Sequence, residues 1–183
     1  MAVHSKPQSP APQATSMQEE IVYTNLGSGD TYDTEHAHEI PNYPAQDLVE
    51  FLAFSFSPTA NCSFTQLKVA IGPGAGAETA RVYLAKDFAG TPSLVILSAS
   101  RAVLPMGGIV PVLVGTKRPF GPFDLLAEET YWLWLGSNTP NSKLAWYYNP
   151  QGVVGPSRVN NSKSWEPTTS GVQGAFCISG RPL

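Results

Sequence analysis

The chain is short of charge. Asp, Glu, Lys and Arg make up 14% of its 183 residues, against the roughly 25% usual for soluble domains. A surface that poor in charge is kept soluble by Ser, Thr and Asn, or is covered by neighbouring molecules. The formal net charge is −3 and the basic residues do not cluster, which argues against nucleic acid as a partner. No apolar run is long enough to span a bilayer as a helix, so no membrane partner is expected. Two cysteines, Cys62 and Cys177, are too few for a disulfide scaffold, and free buried thiols are the expected state.

Catalytic signatures are missing as well. There is no Gly-x-Ser-x-Gly and no P-loop. Gly72-Pro-Gly-Ala-Gly-Ala lacks the lysine and the following helix that a phosphate site needs. Carboxylate pairs drawn from Asp124, Glu128, Glu129 and Glu166 sit in no distinctive context for glycoside hydrolysis. The expectation is a protein that is not an enzyme and carries no cofactor. The opening Met1-Ala-Val-His-Ser-Lys-Pro has no apolar h-region. The protein is therefore expected to remain in the cytoplasm where it is made, with reduced thiols.

What the chain has in abundance is proline and glycine, 17 and 16 residues, spread along its length as suits many short strands and turns. Residues 1–19 stand apart as an arm rich in Pro, Gln, Ser and Ala. In isolation such a segment does not fold, and fully extended it reaches about 60 Å. Its prolines Pro7, Pro10 and Pro12 pre-extend it and are the candidate partner-binding residues.

From residue 20 to 183 the pattern is all β. Strands are expected at Ile21–Asn25, Leu48–Phe56, Phe64–Ile71, Thr79–Lys86, Leu94–Ser100 and Val110–Val114, with a bulge near Phe64 and Leu67 and an edge position for Pro111. Residues 30–47, 72–77 and 152–161 read as loops, and a helical turn fits near Ala45–Leu48 or Leu125–Glu128. The stretch Glu129–Asn149 reads as a hairpin: a first aromatic-rich run with Tyr131–Leu135, then the turn formers Gly136–Asn141, then a second aromatic-rich run with Trp146-Tyr-Tyr. Tyr131, Leu133 and Leu135 share one face, Trp132 and Trp134 the other, so this strand should be central and covered on both sides. Ser164-Trp165 and Gln173–Ser179 complete about nine strands at intervals of roughly 8 to 15 residues, the spacing of a sandwich or barrel.

Several pieces recur in order in a known family. Tyr23-Thr-Asn-Leu-Gly-Ser-Gly-Asp, Ala80-Arg-Val-Tyr-Leu-Ala-Lys-Asp-Phe-Ala-Gly-Thr-Pro, Thr130-Tyr-Trp-Leu-Trp-Leu, Ala145-Trp-Tyr-Tyr-Asn and Gly174-Ala-Phe-Cys-Ile-Ser-Gly resemble the β-sandwich domains of bacterial surface proteins of the choice-of-anchor type, over about residues 20–180. The resemblance implies a jelly-roll-like antiparallel sandwich with no established catalysis. The chain departs from that family in showing neither a signal peptide nor a sorting tail. By architecture, a sandwich with a long arm and a charge-poor surface is similar to decoration (cement) and minor capsid proteins of tailed bacteriophages. That likeness implies a non-enzymatic virion protein, made in the host cytoplasm. Its partners would be a capsid or other virion protein and copies of itself, expected as a trimer.

The alternative is a carbohydrate-binding sandwich, on a cell surface or at a phage tail tip, with Trp165, Tyr43 and Trp146 as candidate stacking rings. The discriminating feature is where the tryptophans lie: on one open face in a binding module, buried or covered in a structural protein. A third reading is a cupin-like metal site. His36 and His38 with Asp33 supply ligand types, but a third partner on a later strand is not evident, and a solvated acidic loop accounts for them.

Overall fold

The computed structural model describes residues 18–113, 123–161, 163–168 and 171–183. Pro7, Pro10 and Pro12 of the arm lie outside the described residues. The described residues form fourteen strands, no α-helix and one 3-10 turn, at Pro44–Gln46. The strands are β1 (Glu20–Thr24), β2 (Ala37–Tyr43), β3 (Leu48–Val49), β4 (Phe51–Phe56), β5 (Cys62–Ala75), β6 (Thr79–Phe88) and β7 (Thr91–Val103). They continue as β8 (Ile109–Leu113), β9 (Asp124–Leu125), β10 (Tyr131–Ser137), β11 (Ser142–Tyr147), β12 (Ser157–Asn160), β13 (Trp165–Pro167) and β14 (Phe176–Pro182).

Two antiparallel sheets pack face to face. One runs β1-β14-β5-β11-β2-β3, with β8 and β9 also on β5; the other runs β13-β12-β4-β10-β6-β7. Four pairings nest inside one another: β6 with β7, β5 with β8, β4 with β10 and β1 with β14. This is one long hairpin rolled across two layers, the order of a jelly roll.

The core lies between the sheets and follows strand alternation. Leu52, Phe54 and Phe56 of β4, Val82 and Leu84 of β6, and Tyr131, Leu133 and Leu135 of β10 meet Val69, Ile71, Leu144, Trp146, Phe176 and Ile178 of the opposite sheet. A smaller cluster, Leu26, Ala70, Ala175 and Cys177, lies on the outer face of the eight-stranded sheet with Tyr32 and Tyr147. Cys62 belongs to the inner core and Cys177 to this outer cluster, so the two buried free thiols sit on opposite faces.

The strand count exceeds nine because stretches that read as loops are paired. Polar β2 (Ala37–Tyr43) joins the sheet because Ile40 is buried and the Asn42 amide donates to the Ser137 and Thr139 carbonyls. β5 continues through Gly72-Pro-Gly because those glycines allow close approach. A Cβ on Gly74 would lie 2.9 Å from the Lys143 carbonyl oxygen. Residues 157–160 pair with β4. Of the two places where a helical turn fitted, Ala45–Leu48 is met by the 3-10 turn at Pro44–Gln46, and Leu125–Glu128 is instead the end of strand β9 followed by a tight turn. The expected bulge is present: Ser179 pairs with Gln66 and Gly180 with Phe64, leaving Thr65 as the extra residue.

The expected hairpin at Glu129–Asn149 is corrected. β10 lies in the six-stranded sheet and β11 in the other, so the turn carries the chain across the sandwich. Local turn chemistry is the same for both outcomes. What decides is the polar knot at the corner, where Ser137 Oγ lies 2.6 Å from Ser142 Oγ, with Asn42 binding both sides of the turn. Leu135 and Leu144 then both point into the core from opposite layers.

Candidate functional site

The outer face of the six-stranded sheet carries an aromatic cleft. Because Leu133 and Leu135 point inward, Trp132 and Trp134 must point outward. Trp134 stands opposite Tyr83 of β6, and the two rings stack at 3.8 Å between centroids, 13° from parallel. Phe51 of β4 meets Trp134 edge-on at 5.2 Å. Trp165 does so at 5.6 Å, from β13, where it pairs with Asn160, which in turn pairs with Phe51. Gly136 is required here: a Cβ would run into the Phe51 ring. All four rings are half-buried.

The cleft has a volume of about 290 Å³. Trp134 and Phe51 form its floor, Trp165 and Asn160 one wall, and Ser93, Leu94 and Ile96 of β7 the other. Among the described residues no charged side chain lines it. Leu94 is 99% exposed on the rim. The Trp134 indole Nε1 is buried without a hydrogen-bond partner among the described residues, a state that costs about 1–3 kcal/mol.

Trp132, two residues away on the same face, is closed off. Its Nε1 donates to Asp87 at 2.6 Å, the Arg158 guanidinium lies over its ring at 5.8 Å, and it is 1% exposed. The β6–β7 turn, with Ala89 and Gly90 both at positive φ, packs beside Arg158. The outer face is thus covered at one end and open at the other.

The second hollow, ≈ 360 Å³, lies at the seam between sheets and is lined by His38, Glu39, Glu50, Leu52, Val159 and Thr168 among others. Glu39 is paired with Lys143 at 2.6 Å. Burial holds the Glu50 carboxyl above the usual carboxylate range. His38 Nε2 donates to the Val172 carbonyl at 2.8 Å, and burial pushes its pKa down.

Of the sequence-predicted stacking rings, Trp165 sits on the cleft wall. Tyr43 closes β2 opposite Leu48, in the other sheet and apart from Trp165. Trp146 is corrected: it is fully buried, packed edge-on against Phe54 at 4.8 Å, because alternation on β11 turns it inward with Leu144. Trp134, read as a covered ring, is half-open.

The metal candidates do not converge. His36 Nδ1 bonds Asp33 Oδ2 at 2.9 Å at the surface, while His38 turns to Val172. Asp33 is held below its usual value by the Glu35 backbone N–H first and His36 second. Among the described residues no three His, Cys, Asp or Glu side chains come together, and no helix is long and apolar enough to cross a membrane. Phe51, Tyr83, Leu94 and Ile96 were not legible as site residues, because only the register brings them beside Trp134. No family model matches the chain, and no curated protein does either.

Proposed function

We propose that this protein is a carbohydrate-binding jelly-roll module that takes a neutral sugar in the aromatic cleft. The observation that carries it is four half-open rings, Phe51, Tyr83, Trp134 and Trp165, gathered on one face while Trp132 and Trp146 are buried. Pyranose C–H groups are weakly positive and lie well against the negative face of an aromatic ring. The uncharged lining suits a neutral sugar better than an acidic one, and Ser93 and Asn160 supply polar groups at the rim. Titration of neutral oligosaccharides followed by tryptophan fluorescence tests this. Binding that Trp165→Ala weakens at least tenfold supports it; an array of neutral and acidic glycans without a hit refutes it.

A second reading, a non-enzymatic virion protein that packs on a shell and with copies of itself, draws on the free edge of the six-stranded sheet. β7 pairs only with β6 among the described residues. Leu94, Val95, Val103 and, just beyond, Met106 at 100% exposure give it an apolar border of a kind lone domains usually blunt. Light scattering after size exclusion tests that reading: a stable trimer supports it and a monomer at all concentrations counts against it.

A further inference from the structure

We propose that the sugar this cleft selects is a 6-deoxyhexose, held with its methyl group against Leu94 and Ile96 of β7. The inference rests on the glycan reading above and names the ligand class within it.

It starts from the pairing of β7 with β6. Between the pairs Asp87↔Pro92 and Leu84↔Ser98 the chain takes three steps along β6 and six along β7. β7 therefore carries three residues more than its neighbour can pair, and the surplus falls within Ser93–Leu97. Bulges of this kind bend a strand and re-aim its side chains. Here the result is a raised lip. Leu94 is 99% exposed yet lines the hollow, and half-buried Ile96 lines it too. The lip is braced from within, because the Val95 N–H donates to Ser93 Oγ at 3.1 Å. Ser93 is the one polar side chain on that wall among the described residues, and this bond already occupies part of it.

The two walls of the cleft thus differ in kind. Asn160 stands with Trp165 on one, and Leu94 and Ile96 make the other aliphatic. A pyranose laid on the floor of Trp134 and Phe51 has the same division. Its C2 and C3 hydroxyls lie along one edge, and its C5 substituent lies on the opposite edge. With those hydroxyls toward Asn160, C6 meets the aliphatic wall. A hydroxymethyl group there exchanges water for a surface that offers little hydrogen bonding, and a hydroxyl left unpaired is unfavourable. A methyl group there gains by leaving water. The reverse placement sets two hydroxyls against Leu94 and Ile96 and is worse. An N-acetyl group also ends in a methyl, but its amide brings a donor and an acceptor to the same wall, with only Ser93 to meet them. The volume of about 290 Å³ is at the small end for ligand sites and suits one ring with its methyl rather than a long buried chain. Hydrophobic surfaces reject an added hydroxyl by at most about a hundredfold, and a single wall open at the rim should give about tenfold.

The test titrates the full chain with matched pairs of sugars that differ only in the C6 oxygen: 6-deoxyglucose with glucose, L-fucose with L-galactose, and L-rhamnose with L-mannose. N-acetylglucosamine is added as a separate ligand. The readout is the set of four tryptophan indole N–H resonances, in which Trp134 and Trp165 should move while the buried Trp132 and Trp146 stay in place. The 6-deoxy member of at least one pair should bind about tenfold tighter than its partner, and tighter than N-acetylglucosamine. Leu94→Ser should cut that ratio to about threefold or less, and Leu94→Met should keep it. Leu94 is so exposed that neither substitution disturbs the fold, which unchanged urea midpoints verify. Hexoses that match or exceed their 6-deoxy partners in every pair overturn the inference and leave the glycan reading standing. The same holds if N-acetylglucosamine binds tightest, or if the ratio survives Leu94→Ser. Indole signals that no sugar moves remove both.

Discussion

Trp134 lies almost flat on Tyr83, 13° from parallel, while Trp146, on the next strand and in the opposite sheet, is fully buried. The two tryptophans should therefore answer differently to truncation. Trp146→Ala should destabilise the fold by about 3–5 kcal/mol, the cost of emptying a buried aromatic site. Trp165→Ala, on a three-residue edge strand at the rim of the same aromatic group as Trp134, should cost about 1 kcal/mol or less and act on binding instead. Urea denaturation of both variants beside a saccharide titration separates the two effects.

Gln173 ties the sheets together at one end of the sandwich. Its Oε1 accepts from the Tyr23 hydroxyl at 2.7 Å and from the Asn25 amide at 3.3 Å, and its Nε2 donates to the Ser55 carbonyl at 2.8 Å. Replacing it with leucine strands those partners, and a buried group left unpaired costs about 1–3 kcal/mol. Combining Gln173→Leu with Tyr23→Phe should cost less than the sum of the two, because they share one hydrogen bond. Equal sums in chemical denaturation would mean the network is not coupled.

Two groups set the pH limits. His38 is depressed from 6.5 by burial, so the folded state favours its neutral form. Its contribution is present above about pH 6.5 and is lost as pH falls through the lower folded value. Tyr23 is raised by burial to about 12. Its contribution is complete below pH 10 and is lost as pH rises through about 12. Urea midpoints should fall from pH 7 to pH 5, and His38→Phe should flatten that interval. Tyr23→Phe should flatten the alkaline side alone.

Glycine at position 174 is a packing requirement. A Cβ there would run into the Trp146 indole, which itself donates to the Ala175 carbonyl at 3.3 Å. Gly174→Ala should destabilise by about 1–3 kcal/mol, the usual penalty for overfilling a packed core. Gly29→Ala meets nothing within 4 Å and carries only the strain of its positive φ, so it should cost about 1 kcal/mol. Thermal unfolding of the pair checks the ranking.

Cys62 and Cys177 should resist thiol reagents until the protein unfolds. Both are buried, and burial pushes both thiols above their usual value, which lowers the thiolate fraction that reacts. Fast labelling under native conditions would contradict the burial of Cys62 in the inner core and of Cys177 in the outer cluster.

Much of the sandwich was legible because alternation is a local signal. Val82 and Leu84 point inward, Arg81 outward, and Phe54 and Phe56 share a face, each as the pattern of two implies. What escaped was set by partners distant in sequence. The turn at Gly136–Asn141 has hairpin chemistry, yet Asn42, nearly a hundred residues earlier, binds both of its sides. β2 reads as loop because Glu39 and His38 are polar, and only Ile40 and its pairing with Leu144 make it a strand. The cleft shows the same limit: Trp165 was picked out as a stacking ring, but nothing within the sequence places Phe51 and Leu94 beside it.

The outermost pair of the nested strands joins Glu20–Thr24 to Phe176–Pro182, almost the two ends of the described chain. A ribosome releases the first of these long before the last. Until β14 emerges, β1 has no neighbour and β5 (Cys62–Ala75) presents a bare hydrogen-bonding edge with Leu67, Val69 and Ile71 uncovered. Closure must wait for β14, and pairings this distant in sequence form on the slow, millisecond-to-second scale of sandwich topologies. Newly made chains should therefore depend on whatever shields that edge during synthesis, and deleting β14 (Phe176–Pro182) should yield aggregates rather than a weaker version of the same fold.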